Sequence, residues 1–349
     1  MNVRVPAAAL MLLLGTCVGV SRAADRPVLH MATIASEVAV WCLSNGFIYE
    51  PGFAPPSGAP NIDYEKTLVS PAQAILAVDR GELAMNECVG LETVTQAWAK
   101  GAHNLIVVAV NGVSPAYVLI GSKNVKRLED LKGKVLGSNG MSTTATQAVV
   151  SILQKGANLA PERDYSFVIA QTGAARMAAL IAGKVDATAS FPPTSYKLID
   201  DGYPVLGIER QYVPNYIQGA MVVNRQWAQA NRPMLVAIIK TMVQTGRWLR
   251  DPSKKNDVVA KLADVTKAGA KLGLDYARRI YSDVITVNGG VLEDAYADRA
   301  LFTTTFRLLT ERGLMTESEY PALDKLVDYS YLNQARRELG MREVKALTP

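Results

Sequence analysis

Apolar and polar positions alternate with a period of two over residues 28–34, then repeat at helical spacing over 36–46, where Asn45-Gly46 supplies a stop. The same pairing of short strand and helix recurs along two thirds of the chain. Strand patterns occupy 61–69, 83–85, 105–110, 134–137, 165–169 and 185–188; helical patterns occupy 71–80, 92–100, 146–155, 174–182 and 196–202. Such alternation predicts α/β layers with mostly parallel strands. After Val222 the pattern turns helical almost to the end. Residues 50–60, EPGFAPPSGAP, hold too many breakers for either element and predict a surface loop.

One pattern returns about a hundred residues later. AILAVDR (74–80) leads into GELAM (81–85), and MAALIA (177–182) leads into GKVDA (183–187). Each is a helix closed by glycine, then a short strand opening into a polar loop, NECVG (86–90) or SFPPT (190–194). The echo predicts two lobes of similar build facing each other. Length agrees: 349 residues, 49% hydrophobic and 20% charged, can bury a large core and exceed one small domain.

Residues 1–23 read as a secretory signal, with Arg4 at the positive end, an apolar run over 7–15 and Ser21-Arg22-Ala23 as the cleavage site. That run is shorter than the roughly 20 apolar residues that span a bilayer. A second reading takes Leu14-Gly-Thr-Cys17 as a lipoprotein box with Cys17 acylated. Cleavage removes two cations and no acid, lowering the net charge from +5 to +3. The remaining basic residues are dispersed and answered by acids, a pattern of solvated faces that predicts no nucleic-acid partner. Export leaves Cys42 and Cys88 in an oxidising compartment, either bridged or as two buried thiols.

The stretch GSNGMSTTATQAVVSIL (137–153) carries the densest candidate chemistry. A strand ends at its first glycine, Gly140 permits a tight turn, and Ser142, Thr143 or Thr144 can cap the helix that follows. The free N–H groups of that helix start, with the hydroxyls, suit a small anion; plain capping is the competing reading. No Lys-Ser or Lys-Thr follows the second glycine, which excludes a P-loop, and a third glycine for a dinucleotide site is absent. His30 and His103 have no metal-ligand spacing, and GxSxG is missing, so no catalytic group, metal or cofactor is expected. Trp41, Tyr117, Phe191, Tyr212 and Tyr216 fall in or beside loops, where rings can stack on a ligand. Glu87 is either an orienting acid for a ligand hydroxyl or amine, or an exposed carboxylate.

With these residues in view, the chain resembles the periplasmic solute-binding proteins of ABC importers, the nitrate/sulfonate/taurine-type group related to pyrimidine-precursor binders. Four segments carry the likeness: SPAQAILAVDRGELA (70–84), SPAYVLIG with LEDLKGKV (114–121, 128–135) running into the hydroxyl-rich turn, AALIAGKVDA (178–187) and LVDYSYLNQA (326–335). The resemblance implies a type II periplasmic binding protein fold, two α/β lobes joined by a two-strand hinge near 112–117 and 212–219. Lobe one then comprises 24–113 and the mostly helical 216–349, and lobe two 114–215.

Ligand in that fold sits between the lobes. Carried over by position, its contacts are Ser36, Glu37, Trp41, Ser70, Asn86, Glu87, Ser114, Tyr117, Ser142, Thr143, Thr144, Thr146, Thr172, Phe191 and Thr194. Thr146 stands where the family commonly has the His of a Ser-Ser-Ala-His turn. The implied function is capture of a small organic anion, a sulfonate, carboxylate or aromatic acid, by a monomer that delivers it to an ABC permease in the inner membrane. The alternative is a neutral or cationic heterocycle held by Glu87 or Glu37 and stacked on Trp41. Pyrimidine synthases of this fold depend on a Cys-rich motif that is absent here, so no enzyme is expected.

Overall fold

A computed structural model describes residues 26–347 apart from 35–39, 56, 115, 142, 171, 268–269 and 288, and leaves the side chains of 40, 41, 51 and 267 undescribed. Both readings of the leader, the signal sequence and Cys17, fall outside the described residues, as do Ser36, Glu37, Ser142 and the side chain of Trp41.

Among the described residues, ten of twelve strands divide into two sheets of five with the same internal plan, and the other two form a separate short pair, Thr266–Lys267 with Ala270–Lys271. The first contains β1 (Val28–Thr33), β2 (Asp63–Leu68), β3 (Met85–Val89), β4 (Leu105–Gly112) and β10 (Gly219–Asn224), in the order β2-β1-β3-β10-β4. The second contains β5 (Val118–Gly121), β6 (Val135–Ser138), β7 (Ser166–Ile169), β8 (Ala187–Ser190) and β9 (Val205–Ile208), in the order β7-β6-β8-β5-β9. In each, three strands run parallel and the fourth in spatial order, β10 or β5, runs antiparallel to both its neighbours. The chain passes between sheets twice, from Gly112 to Val118 and from Ile208 back to Gly219.

Side-chain pattern explains which strands are central. All eight positions of LIVVAVNG in β4 and all six of GAMVVN in β10 are buried, as expected of strands covered on both faces. DYEKTL in β2 lies at an edge, where charged side chains discourage further pairing. Helices α1 (Pro71–Asp79), α2 (Leu91–Ala99), α3 (Thr144–Ala157), α4 (Gly173–Ile181) and α5 (Thr194–Asp200) connect the strands. Gly81 and Gly183 end α1 and α4 with φ of +74° and +67°, a conformation that costs a glycine little.

The region after β10 is helical: α6 (Arg225–Ala230), α7 (Arg232–Arg250), α8 (Lys255–Asp264), α9 (Leu274–Ile280), α10 (Arg299–Glu311), α11 (Leu323–Leu326) and α12 (Ser330–Glu338). Helices α7, α10 and α12 complete the core around the first sheet, through Leu235, Ile239, Phe302, Phe306 and Leu332. Among the described residues no helix is long and apolar enough to cross a membrane.

Two sequence expectations change. NECVG was expected as a loop after a strand at 83–85, yet the strand is Met85–Val89 and every position in it is buried. Its polar residues are tolerated because each has partners: Asn86 Nδ2 donates to Ala32 O at 3.2 Å and Asn86 Oδ1 accepts from Cys88 N at 2.9 Å. The helix expected over 36–46 is, where described, a 3-10 segment at Val40–Ile48 that runs through Asn45-Gly46. Gly46 stays because the Phe53 ring lies where its Cβ would be.

Phe53 also gives the proline-rich loop its role. It is 2% exposed and packs edge-on against Trp248 at 5.8 Å, while Lys261 Nζ donates to Gly52 O at 2.7 Å and the backbone N–H of Thr266 donates to Glu50 Oε1 at 2.8 Å. The loop therefore staples β1's successor to α7 and α8. Beside it, Cys42 and Cys88 are joined as a disulfide, tying the 3-10 segment to β3.

Candidate functional site

The strand ends of the two sheets face each other across a cleft of about 620 Å³. Helix starts converge on it from both sides. Ser70 precedes α1, Gly90 precedes α2, Thr143 precedes α3 and Thr172 precedes α4, and Thr194 is the first residue of α5; all five line the cleft. Each helix start turns partial positive charge toward the same space.

Most hydroxyls at these starts serve their own helices. Ser70 Oγ, Thr143 Oγ1 and Thr172 Oγ1 accept from the backbone N–H of Gln73, Thr146 and Ala175 at 3.4, 3.4 and 3.1 Å. The protons of two of them are also used, Ser70 toward Gln73 Oε1 at 2.8 Å and Thr143 toward Asn139 Oδ1 at 2.6 Å. Thr144 Oγ1 donates to Glu92 Oε2 at 3.2 Å. In the hydroxyl-rich turn the hydroxyls of Thr143, Thr144 and Thr146 are thus all engaged within the protein.

One cation in the cleft lacks such partners. Arg176, four residues after the N-cap of α4, is 7% exposed, and its Nε and Nη1 have no hydrogen-bond partner among the described residues. Its Nη2 lies over Gly173, where an added Cβ would sit 3.9 Å away. Burial pulls its pKa down, but arginine starts so high that it stays charged. Leaving a buried guanidinium unpaired is costly, and among the described residues no acidic side chain pairs with this one. Tyr117 and Phe191, edge to face at 5.3 Å, line the same cleft, with Met177 and Leu198.

The sequence-predicted residues separate into three groups. Ser70, Tyr117, Thr143, Thr144, Thr172, Phe191 and Thr194 line the cleft together. Ser114 lies apart, beside Gly112, Phe191, Asp283 and Gly290 around a recess of about 10 Å³ at the crossing. Asn86, Glu87 and Thr146 are buried away from the cleft wall. Thr146, at the third helical position, points back under the turn, where Oγ1 meets Ser138 Oγ at 2.8 Å. Glu87 accepts from Tyr49 and from Thr33 Oγ1 at 3.2 Å, and burial pushes its carboxyl up to about 7.

Arg176 escaped the sequence reading, although a signal was there. In Thr-Gly-Ala-Ala-Arg the cation sits one turn into a helix, at the end where the macrodipole disfavours positive charge.

The family model described as NMT1/THI5 like matches residues 69–252. No curated protein sequence matches the chain. Among solved structures, the ligand binding component of an ABC-type import system from Staphylococcus aureus, with zinc bound, is 15% identical, with a TM-score of 0.69 over 89% of this chain and 100% of that one. The alkanesulfonate-binding protein SsuA from Xanthomonas axonopodis pv. citri, bound to MOPS, is 18% identical, with a TM-score of 0.63 over 88% and 100%. The desulfurization enzyme DSZB is 15% identical, with a TM-score of 0.57 over 90% and 100%. The common architecture is the periplasmic binding protein fold, which serves binding proteins and at least one enzyme.

Proposed function

This chain belongs to the NMT1/THI5-like family, and we propose that it captures a small organic anion between its lobes, as the substrate-binding component of an ABC uptake transporter. The observation that carries the reading is Arg176, a buried guanidinium whose Nε and Nη1 have no partner among the described residues, in a cleft onto which five helix starts open. A carboxylate or sulfonate there would gain charge-assisted hydrogen bonds and remove an unpaired buried charge. The rings of Tyr117 and Phe191 and the side chains of Met177 and Leu198 give its body an apolar bed. Similarity to the import component and to the sulfonate binder supports the same assignment, and with it an extracytoplasmic site of action and a membrane permease as partner.

Closure is proposed about the two crossings, 112–118 and 208–219, bringing the helix starts onto the ligand. The heterocycle alternative draws no support from Glu87, whose carboxyl is occupied by Tyr49 and Thr33 behind the cleft wall.

Screening carboxylates, sulfonates and heterocycles by thermal shift, then calorimetry, tests the proposal, because a ligand of the native state raises the melting temperature. Wild type is expected to bind an organic anion, and Arg176→Gln to weaken it by at least thirtyfold, about 2 kcal/mol or more. Glu87→Gln should leave that affinity within about threefold. Anion binding untouched by Arg176→Gln, or chemical conversion of the bound ligand seen by mass spectrometry, would overturn the reading.

A further inference from the structure

Behind the cleft wall lies a polar cluster that ligand contact does not explain. Arg312 caps the C-terminal end of α10, on the first lobe, yet its side chain is 3% exposed and reaches α3 of the second. Its Nε and Nη2 donate to Ser151 Oγ at 3.1 and 2.8 Å. Its Nη1 stands 3.7 Å from Oε1 of Glu92, a fully buried residue of α2. The other oxygen of Glu92 accepts from Thr144 Oγ1, at the cleft-lining start of α3.

Thr144 and Ser151 are seven residues apart, two turns along one face of α3. The Glu92–Arg312 pair therefore grips that helix at two points, which opposes both rotation about its axis and sliding along it. Approach is close at the grip: a Cβ on Gly90 would overlap Thr144 Oγ1. Buried ion pairs seldom add net stability, because desolvation offsets their attraction, so fixing geometry is the better account of this one.

We propose that Arg312, acting through Glu92, is a positioning residue that holds the Thr143–Thr144–Ala145 turn in register against the first lobe and so sets the shape of the cleft from behind. Its bearing on ligand capture rests on the function proposed above, whereas the positioning itself does not require a ligand. Glu209, in the turn after β9, faces the same guanidinium and accepts from Tyr216 Oη at 2.7 Å and Gln218 Nε2 at 3.1 Å. Tyr216 and Tyr117 are the other titratable groups against the cluster.

Hydrogen exchange read by mass spectrometry on the ligand-free protein tests the proposal, with Arg312→Met, Arg312→Lys and Thr144→Val compared with wild type. Expected are at least tenfold faster exchange of the 143–147 amides in Arg312→Met, a smaller rise in Thr144→Val, partial restoration in Arg312→Lys, and unchanged exchange across α4. Unchanged 143–147 amides in Arg312→Met overturn the proposal, and so does acceleration spread evenly over the chain. Should Arg312→Met fail to fold, Thr144→Val decides: faster 143–147 exchange supports the relay and wild-type exchange rejects it. A protein that binds no anion but shows the localised effect would sink the proposed function and leave this one standing.

Discussion

Burial raises the carboxyls of Glu87, Glu92 and Glu209 above the usual range. Glu87 is pushed up to about 7 and Glu209 to about 8, in both cases first by desolvation, with nearby donors and, for Glu209, Arg312 pulling the other way. A folded state that raises a carboxyl's pKa binds more protons than the unfolded chain between the two values. The stability each group contributes is therefore complete below the ordinary 4.5 and is lost as pH climbs through 7 and 8. Melting temperature followed from pH 5 to 9 should fall in wild type and fall less in Glu87→Gln and Glu209→Gln. Each carboxyl accounts for at most about 1.4 kcal/mol per pH unit. Parallel curves for wild type and both variants would show that these carboxyls ionise as exposed ones do. None of this was legible in the sequence, where Glu87 looked like a loop acid: the chain announces residue type, while burial comes from strands that pair later. Arg176 was missed for a related reason, since its unfavourable place one turn into a helix is a faint mark beside the hydroxyls clustered at 142–146, which announce a helix start plainly.

At the level of elements, periodicity served well where one face is wet and poorly where neither is. The amphipathic helices at 71–80, 92–100 and 174–182 lie within a residue or two of α1, α2 and α4. β3 was misplaced because Met-Asn-Glu-Cys-Val is neither an apolar run nor an alternation, although the structure buries it throughout. The cysteine pair was left open by spacing and is closed in the fold. Cross-linking a loop of this length contributes about 4 kcal/mol in the chain-entropy account. Reducing it, or replacing both cysteines by serine, should lower the melting temperature by about 5–10 °C. An unchanged melting temperature would mean that Leu43, Phe53 and Trp248 hold the segment without help. Gly90 is a second element-scale test. Gly90→Ala should force Thr144 aside and weaken anion binding at least fivefold, and Thr144→Ala, which removes the overlapping hydroxyl, should recover part of the loss.

For the whole molecule, two similar lobes could be read from the repeated helix-glycine-strand unit, but the strand order could not. Periodicity reports which face of a strand is apolar and is silent on its neighbour. The order has a consequence for how the chain comes to be folded. β5 to β9 form a continuous stretch, so the second sheet can assemble as soon as it is made. The first cannot: β3 and β4 emerge early but are separated in space by β10, which ends at Asn224, more than a hundred residues after β4 ends at Gly112. Until then two strand edges stand open and sticky. A nascent chain with that gap keeps its first sheet incomplete until β10 has been made. The strand order thus places completion of the first sheet after every strand of the second has been made.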